Sequence, residues 1–229
     1  MNRGVLAGLL SLLVTTVPAW SEVAPDFGAM VKDLEVIDKD GDRFAMALWM
    51  PAEFWQAALA SSGALTEKAI NQYTEAFKPF TVIAVIESET GIAGAKTYTD
   101  ADTLRGKLTL VDTGGSIYQA LPADKIPQGI TNVIQAMRPI LTNSMGPMGT
   151  HMELFVFPAL GKDGQRIADV RKDGSLSVHL GTRVFHYRLP LGSFLPPMVD
   201  RRTGERFPGN YHFNPFTGER LSNSPPSSP

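Results

Sequence analysis

Cysteine is missing altogether from this chain of 229 residues. Without thiols there is no disulfide, no thiolate metal site, no thiol nucleophile and no haem or lipid anchored through sulfur. Stability must then come from packing, and a hydrophobic content of 43% is enough for a real core. Histidine is scarce as well, with 4 in the whole chain. Gly-x-Ser-x-Gly, His-Glu-x-x-His, a phosphate loop and a dinucleotide fingerprint are all absent from the sequence. Neither sign of charge dominates, with 21 Lys and Arg against 23 Asp and Glu. A balance of this kind gives no general attraction to nucleic acid or to anionic lipid.

Apolar runs long enough to span a membrane are lacking too. The longest, residues 5–17, is short, follows Arg3, and leads to Ala19-Trp20-Ser21. A basic start, a short apolar run and small residues before a cut are the parts of a secretory signal. Cleavage is expected after Ser21, giving a mature chain that starts at Glu22 and is exported to the periplasm or the medium. Residues 1–21 hold one Arg and no acid, so 20 basic residues then face 23 acidic ones, a net charge of −3. The mature chain is expected to be soluble, with no membrane span.

What is present reads mainly as strands. Residues 43–49 follow an acidic turn, Asp38 to Asp42, and form a strand. Pro51 opens a helix with Phe54, Trp55, Ala58 and Leu59 on one face, and Thr66 caps a second with Ile70, Tyr73 and Phe77. The β-branched run 80–86 has the composition of a strand buried on both faces. Residues 107–111 and 152–157 are further strands, separated by a helical pattern over 126–137 that Pro139 should kink or end. A hairpin turning at Gly181-Thr182 places Leu180 opposite Arg183, Val178 opposite Phe185 and Leu176 opposite Tyr187. One face of it is then apolar, while Ser177, His179, Val184, His186 and Arg188 share the other. The pattern predicts a mainly β protein, an antiparallel β-sandwich with helical insertions and a small ribbon-like C-terminal tail; an α+β sheet is the alternative. The main domain is expected over residues 22–197, the tail over 198–221, and disorder over the Ser/Pro-rich 222–229.

The tail states one turn twice: Thr203-Gly204-Glu205-Arg206 returns as Thr217-Gly218-Glu219-Arg220. Each copy ends a knuckle, Asp200 to Gly204 and Asn214 to Gly218. Over these 22 or so residues the pattern resembles a zinc ribbon, whose knuckles have the form Cys-Pro-x-Cys-Gly. The resemblance implies ligand positions at Asp200, Thr203, Asn214 and Thr217. None carries a thiolate, and neutral Thr and Asn are poor zinc ligands. The expectation is a ribbon shape without its metal, its turns held by side chains bonded to backbone amides, with Phe207, Tyr211, Phe213 and Phe216 as a small aromatic core.

Other groupings suggest chemistry only weakly. Asp38, Asp40 and Asp42 begin like a calcium loop, but Arg43 and Trp49 stand where it needs Gly and Glu, so an EF-hand is rejected. Thr113-Gly114-Gly115-Ser116 has no strong helix after it and reads as a turn. Glu87 and Glu89 share a strand face without further site logic. His179 and His186 are diagonal neighbours with no third ligand. Met145, Met148, His151 and Met152 are close enough in sequence to converge, and thioethers with imidazole are soft donors suited to Cu(I); methionine also fills gaps where a helix meets a sheet. The sequence therefore favours an exported, non-enzymatic binding or interaction module for an unidentified protein or small ligand, with no required cofactor. A copper-binding protein using the Met/His loop is the first alternative, and a hydrolase with unidentified residues the second.

Overall fold

The β-branched run becomes the central strand of the molecule. In the computed structural model, which describes residues 26–223, the elements in chain order are α1 (Phe27–Leu34), β1 (Glu35–Asp40), β2 (Arg43–Met50), α2 (Ala52–Ser61), α3 (Glu67–Phe77), β3 (Phe80–Thr90), β4 (Lys96–Tyr98), α4 (Ala101–Lys107), β5 (Leu108–Asp112), β6 (Ile117–Gln119), α5 (Gln128–Ser144), β7 (Glu153–Pro158), β8 (Gly174–Leu180), β9 (Arg183–Leu189), β10 (Met198–Val199) and β11 (Arg206–Phe207). Short 3-10 turns occupy Gly146–His151 and Gly192–Phe194. The signal-like segment and residues 224–229 lie outside the described residues.

All strand pairs are antiparallel. β3 pairs with β2 along one edge and shares its other edge between β7, at residues 80–85, and β4, at residues 88–90; β1 closes the far side of β2. A second sheet runs β6-β5-β8-β9. In β2 and β3 the two side-chain sets face different layers. Ala47 and Trp49 lie opposite Val85 and Ile83, and this face meets the second sheet. There the Tyr187 hydroxyl donates to the Ala47 carbonyl at 2.9 Å, its ring meets Trp49 edge-on at 5.6 Å, and the Trp49 indole donates to Thr81 at 2.7 Å. Alanines at 45 and 47 leave room for that approach, and the buried polar atoms of Tyr187 and Trp49 are all paired. Leu48 and Ala84 point the other way, under α1, α2 and α5. The result is an antiparallel sandwich with one outer face covered by helices.

α2 and α3 start where the sequence signals them, at Pro51 and Thr66, whereas α1 and α4 are helices the sequence reading does not anticipate. Asp26, Thr66 and Asp100 accept from the Ala29, Ala69 and Thr103 amides at the heads of α1, α3 and α4. Trp55 of α2 stacks on Phe77 of α3 with centroids 4.6 Å apart, which docks the second helix on the first. Pro139 does not end α5. Pro139 and Gln135 both sit on the exposed face, where a carbonyl left without its amide partner is open to solvent, and the helix runs on to Ser144. The acidic turn is shorter than the sequence suggests: Asp38 and Asp40 belong to β1, and only Gly41 and Asp42 turn. Ser222 forms a two-way backbone bridge to Val199.

The β8-β9 hairpin has the expected register, with Leu180, Val178 and Leu176 opposite Arg183, Phe185 and Tyr187. Phe185 is buried and His186 is exposed. Phe185→Ala should therefore cost about 3–5 kcal/mol of unfolding free energy, and His186→Ala less than about 0.5 kcal/mol. Urea titration of the two variants checks this; the reverse order would invert the faces.

Candidate functional site

The covered face of the first sheet is not filled completely. A cavity of about 350 Å³ lies between α1, α2, α5 and the sheet. Leu48 contributes from the sheet, Phe27 and Val31 from α1, Phe54 and Ala58 from α2, and Met137 and Leu141 from α5. Ile140, 56% exposed, stands at its entrance. The volume and apolar walls are those of a small-molecule site, for which about 300–1,000 Å³ is usual. Polar groups are few: Glu35, Ser61, Ser62 and Ser144. Each serine hydroxyl donates to a carbonyl of its own helix, Ala58, Leu59 or Leu141, at 2.7–2.8 Å. Their protons are used; Ser62 Oγ also accepts from the Ala64 amide at 3.3 Å, while the lone pairs of Ser61 and Ser144 remain. Glu35 makes no ion pair among the described residues. The polar lining of the cavity thus accepts hydrogen bonds and offers no free side-chain donor.

The Met/His loop borders this cavity. Met145 and Met152 line it, and Met152 is fully buried. The 3-10 turn between them is pressed onto α5 at Gly149, where a Cβ would collide with the Thr142 backbone. Met148 and His151 are engaged elsewhere: the Met148 sulfur accepts from Lys96 at 3.8 Å, and the His151 ring stacks on Tyr98 with centroids 3.6 Å apart. The structure brings Met145 and Met152 together in one wall and gives the other two soft donors separate partners. No three His, Asp or Glu among the described residues are grouped so that they could hold a metal.

A second cleft, about 520 Å³, opens at one end of the sandwich. Glu87 and Glu89 both line it, on one strand face as their spacing requires. Glu87 accepts from Thr99 at 2.9 Å and from Lys107 at 3.3 Å. Arg43 pairs with Asp40, and Arg183 with Asp38. The three cations here are matched by carboxylates and join β2 to β1, α4 to β3 and β9 to β1 rather than pointing to a ligand. On the outer face of the second sheet, Ser177 and His186 are opposite and 3.0 Å apart, with His179 diagonal to His186. This pair lies on an open sheet face, outside any cavity described above.

The tail contains the repeated turn in nearly identical form. Gly204 and Gly218 amides donate to the Asp200 and Asn214 carbonyls, both at 2.8 Å. Asp200 Oδ1 accepts from the Arg202 and Thr203 amides, and Asn214 Oδ1 from those of Phe216 and Thr217. The Thr203 and Thr217 hydroxyls accept from Glu205 and Glu219. Gly204 and Gly218 have φ of +73° and +75°, a left-handed conformation that disfavours any residue with a Cβ. The Asn214 amide donates to Asp200 Oδ2 at 2.6 Å, so the two knuckles are joined by a direct side-chain bond between buried groups. Of the expected aromatic core only Phe207 is buried; Phe213 and Phe216 are 58% and 82% exposed.

The sequence does not single out the helix-lined cavity. Glu35, Phe27 and Val31 belong to no motif, and helical periodicity shows an apolar face without showing which other helix it meets. No family model matches the chain, and no curated protein matches it. Among solved structures there is a likeness to a DUF4426 family protein from Pseudomonas aeruginosa PAO1, at 14% identity, covering 67% of this chain and 90% of that one, with a TM-score of 0.25. A likeness of that degree defines neither a shared fold nor a function.

Asp200 makes the join between the knuckles sensitive to acid. The hydrogen bond from Asn214, then the amides of Arg202 and Thr203, hold its carboxyl below the ordinary value of 3.8. A depressed folded-state value adds stability above the unfolded-state value, and that stability is lost as pH falls through the folded-state value. On acidification below about 3.8, amide signals of residues 198–222 should lose dispersion, and Asp200→Asn should make that change far less dependent on pH. Acid-independent tail signals in the unmodified chain would contradict the assignment.

Proposed function

We propose that this is an exported, non-enzymatic binding protein whose ligand is an apolar molecule with a hydrogen-bond-donating head. The observation that carries the reading is the helix-covered cavity: apolar walls, and a polar lining that only accepts. An uncharged alkyl alcohol suits it, because the chain buries against Leu48, Phe54 and Met137 while the hydroxyl donates to Glu35 or a serine oxygen. A fatty acid of equal length brings a carboxylate toward Glu35 and should bind less well. Export rests on residues 1–21 alone. In the same reading the tail is a contact surface of ribbon shape that uses no metal, supported by the Asp200–Asn214 bond that occupies two of the four ligand positions.

Thermal unfolding with decanol and decanoate tests the cavity. A ligand that binds only the folded state at about one hundred times its Kd stabilises by about 2.7 kcal/mol, which raises the melting temperature by several degrees. Decanol should produce such a rise and decanoate a much smaller one. Ile140→Glu, at a half-exposed entrance position, should remove the response with little change in the unliganded melting temperature. No response to decanol in the unmodified chain would defeat the proposal. A Cu(I) titration separates the alternative: if copper is the ligand, Met145→Leu with Met148→Leu abolishes binding while stability barely changes, since the volumes are similar.

A further inference from the structure

Arg201 and Arg220 differ from the basic residues that line the cleft at the sandwich mouth. At the sandwich mouth Arg43, Arg183 and Lys107 each have a carboxylate partner. In the tail Arg202 pairs with Glu219. Arg201 and Arg220 make no ion pair among the described residues, yet both line one pocket of about 560 Å³. His212 lines it too, and among the described residues no carboxylate does. The neighbouring Asp200 is already committed, one oxygen to the Arg202 and Thr203 amides and the other to Asn214.

The backbone explains why the two arginines meet. The last described residues return between the knuckles: Ser222 bridges to Val199, the Leu221 amide donates to the His212 carbonyl at 3.0 Å, and Arg220 lies opposite Phe213. Arg201 therefore comes from the first knuckle and Arg220 from the stretch that follows the second. Unpaired guanidinium groups around a carboxylate-free hollow create a local positive potential that the near-neutral chain as a whole lacks. We propose that this pocket binds a phosphate-type oxyanion. Two guanidinium groups, each able to donate a pair of N–H bonds, and an imidazole N–H match an anion with several acceptor oxygens better than they match a single halide. Exposed Phe213 and Phe216 adjoin the site or its knuckle, so the phosphate could be free or carried on a lipid headgroup. This site is independent of the helix-lined cavity and stands or falls separately.

The test is a titration of the full chain with inorganic phosphate at low salt, followed by amide NMR. Saturable shifts should be confined to residues 198–222. Arg201→Gln and Arg220→Gln should each weaken binding about tenfold, as expected for losing a hydrogen bond to a charged group. Arg188→Gln, on the outer face of the second sheet, should leave it unchanged. Arg201→Lys keeps the charge and should retain part of the affinity, which separates lost binding from a disturbed tail. Sedimentation with phosphatidylglycerol vesicles distinguishes the sources: vesicle binding weakened by Phe213→Ser, with phosphate binding intact, identifies the headgroup, and phosphate binding without vesicle binding identifies the free ion. Absence of saturation, or equal weakening by Arg188→Gln and Arg201→Gln, would overturn the proposal.

Discussion

Every layer of this protein is keyed to one strand that is paired on both edges and buried on both faces. β3 hydrogen-bonds to β2 on one side and to β7 and β4 on the other, and its residues 81–86 are all buried. Such a strand must be apolar throughout, and the run Thr81 to Ile86 is apolar apart from Thr81, whose hydroxyl meets the Trp49 indole. One of its faces requires a second sheet and the other requires helices. The sandwich and the helical cover are two consequences of the same run. The cavity arises on the helical side because cylinders crossing a twisted sheet cover it less evenly than another sheet does, here leaving a gap where α1, α2 and α5 converge.

Electrostatics is used mainly to fasten loops. Arg166 holds Glu53 through two bonds of 2.6 and 2.9 Å, tying the segment before β8 to α2. Burial works against the charge on Glu53, but the guanidinium outweighs it and keeps the carboxyl below its ordinary value. The pairs at the sandwich mouth join neighbouring elements in the same way. Against that background stand the acceptor-only lining of the cavity and the arginines of the tail that make no ion pair among the described residues.

Local chemistry was the legible part of the sequence. The β8-β9 register follows from alternation about a Gly-centred turn, α2 and α3 from Pro51 and Thr66, and the knuckle bonds from Asx and Thr side chains that sit two or three residues before the amides they bind. What depended on distant partners was not legible. Pro139 stays within α5 because its side of the helix faces water, which one helix's pattern does not disclose. β1 takes Asp38 and Asp40 from the acidic turn because pairing with β2 continues to Arg43. The proximity of Met145, Met148, His151 and Met152 in sequence says nothing about Lys96 and Tyr98, which engage two of the four. The cavity itself needs residues from three helices and a strand separated by more than a hundred positions, and no spacing rule reaches that far.

The central claim, that a donor-headed apolar molecule enters the helix-covered cavity, is tested most directly by intermolecular NOEs between decanol and the methionine methyl groups. The chain has 9 methionines as natural reporters. Three of them, Met137, Met145 and Met152, line the cavity, while Met198 lines the tail pocket. The account predicts NOEs from the alkyl chain to Met137, Met145 and Met152 and none to Met198. NOEs to Met198 instead, or none to the three cavity methionines at saturating decanol, would contradict it.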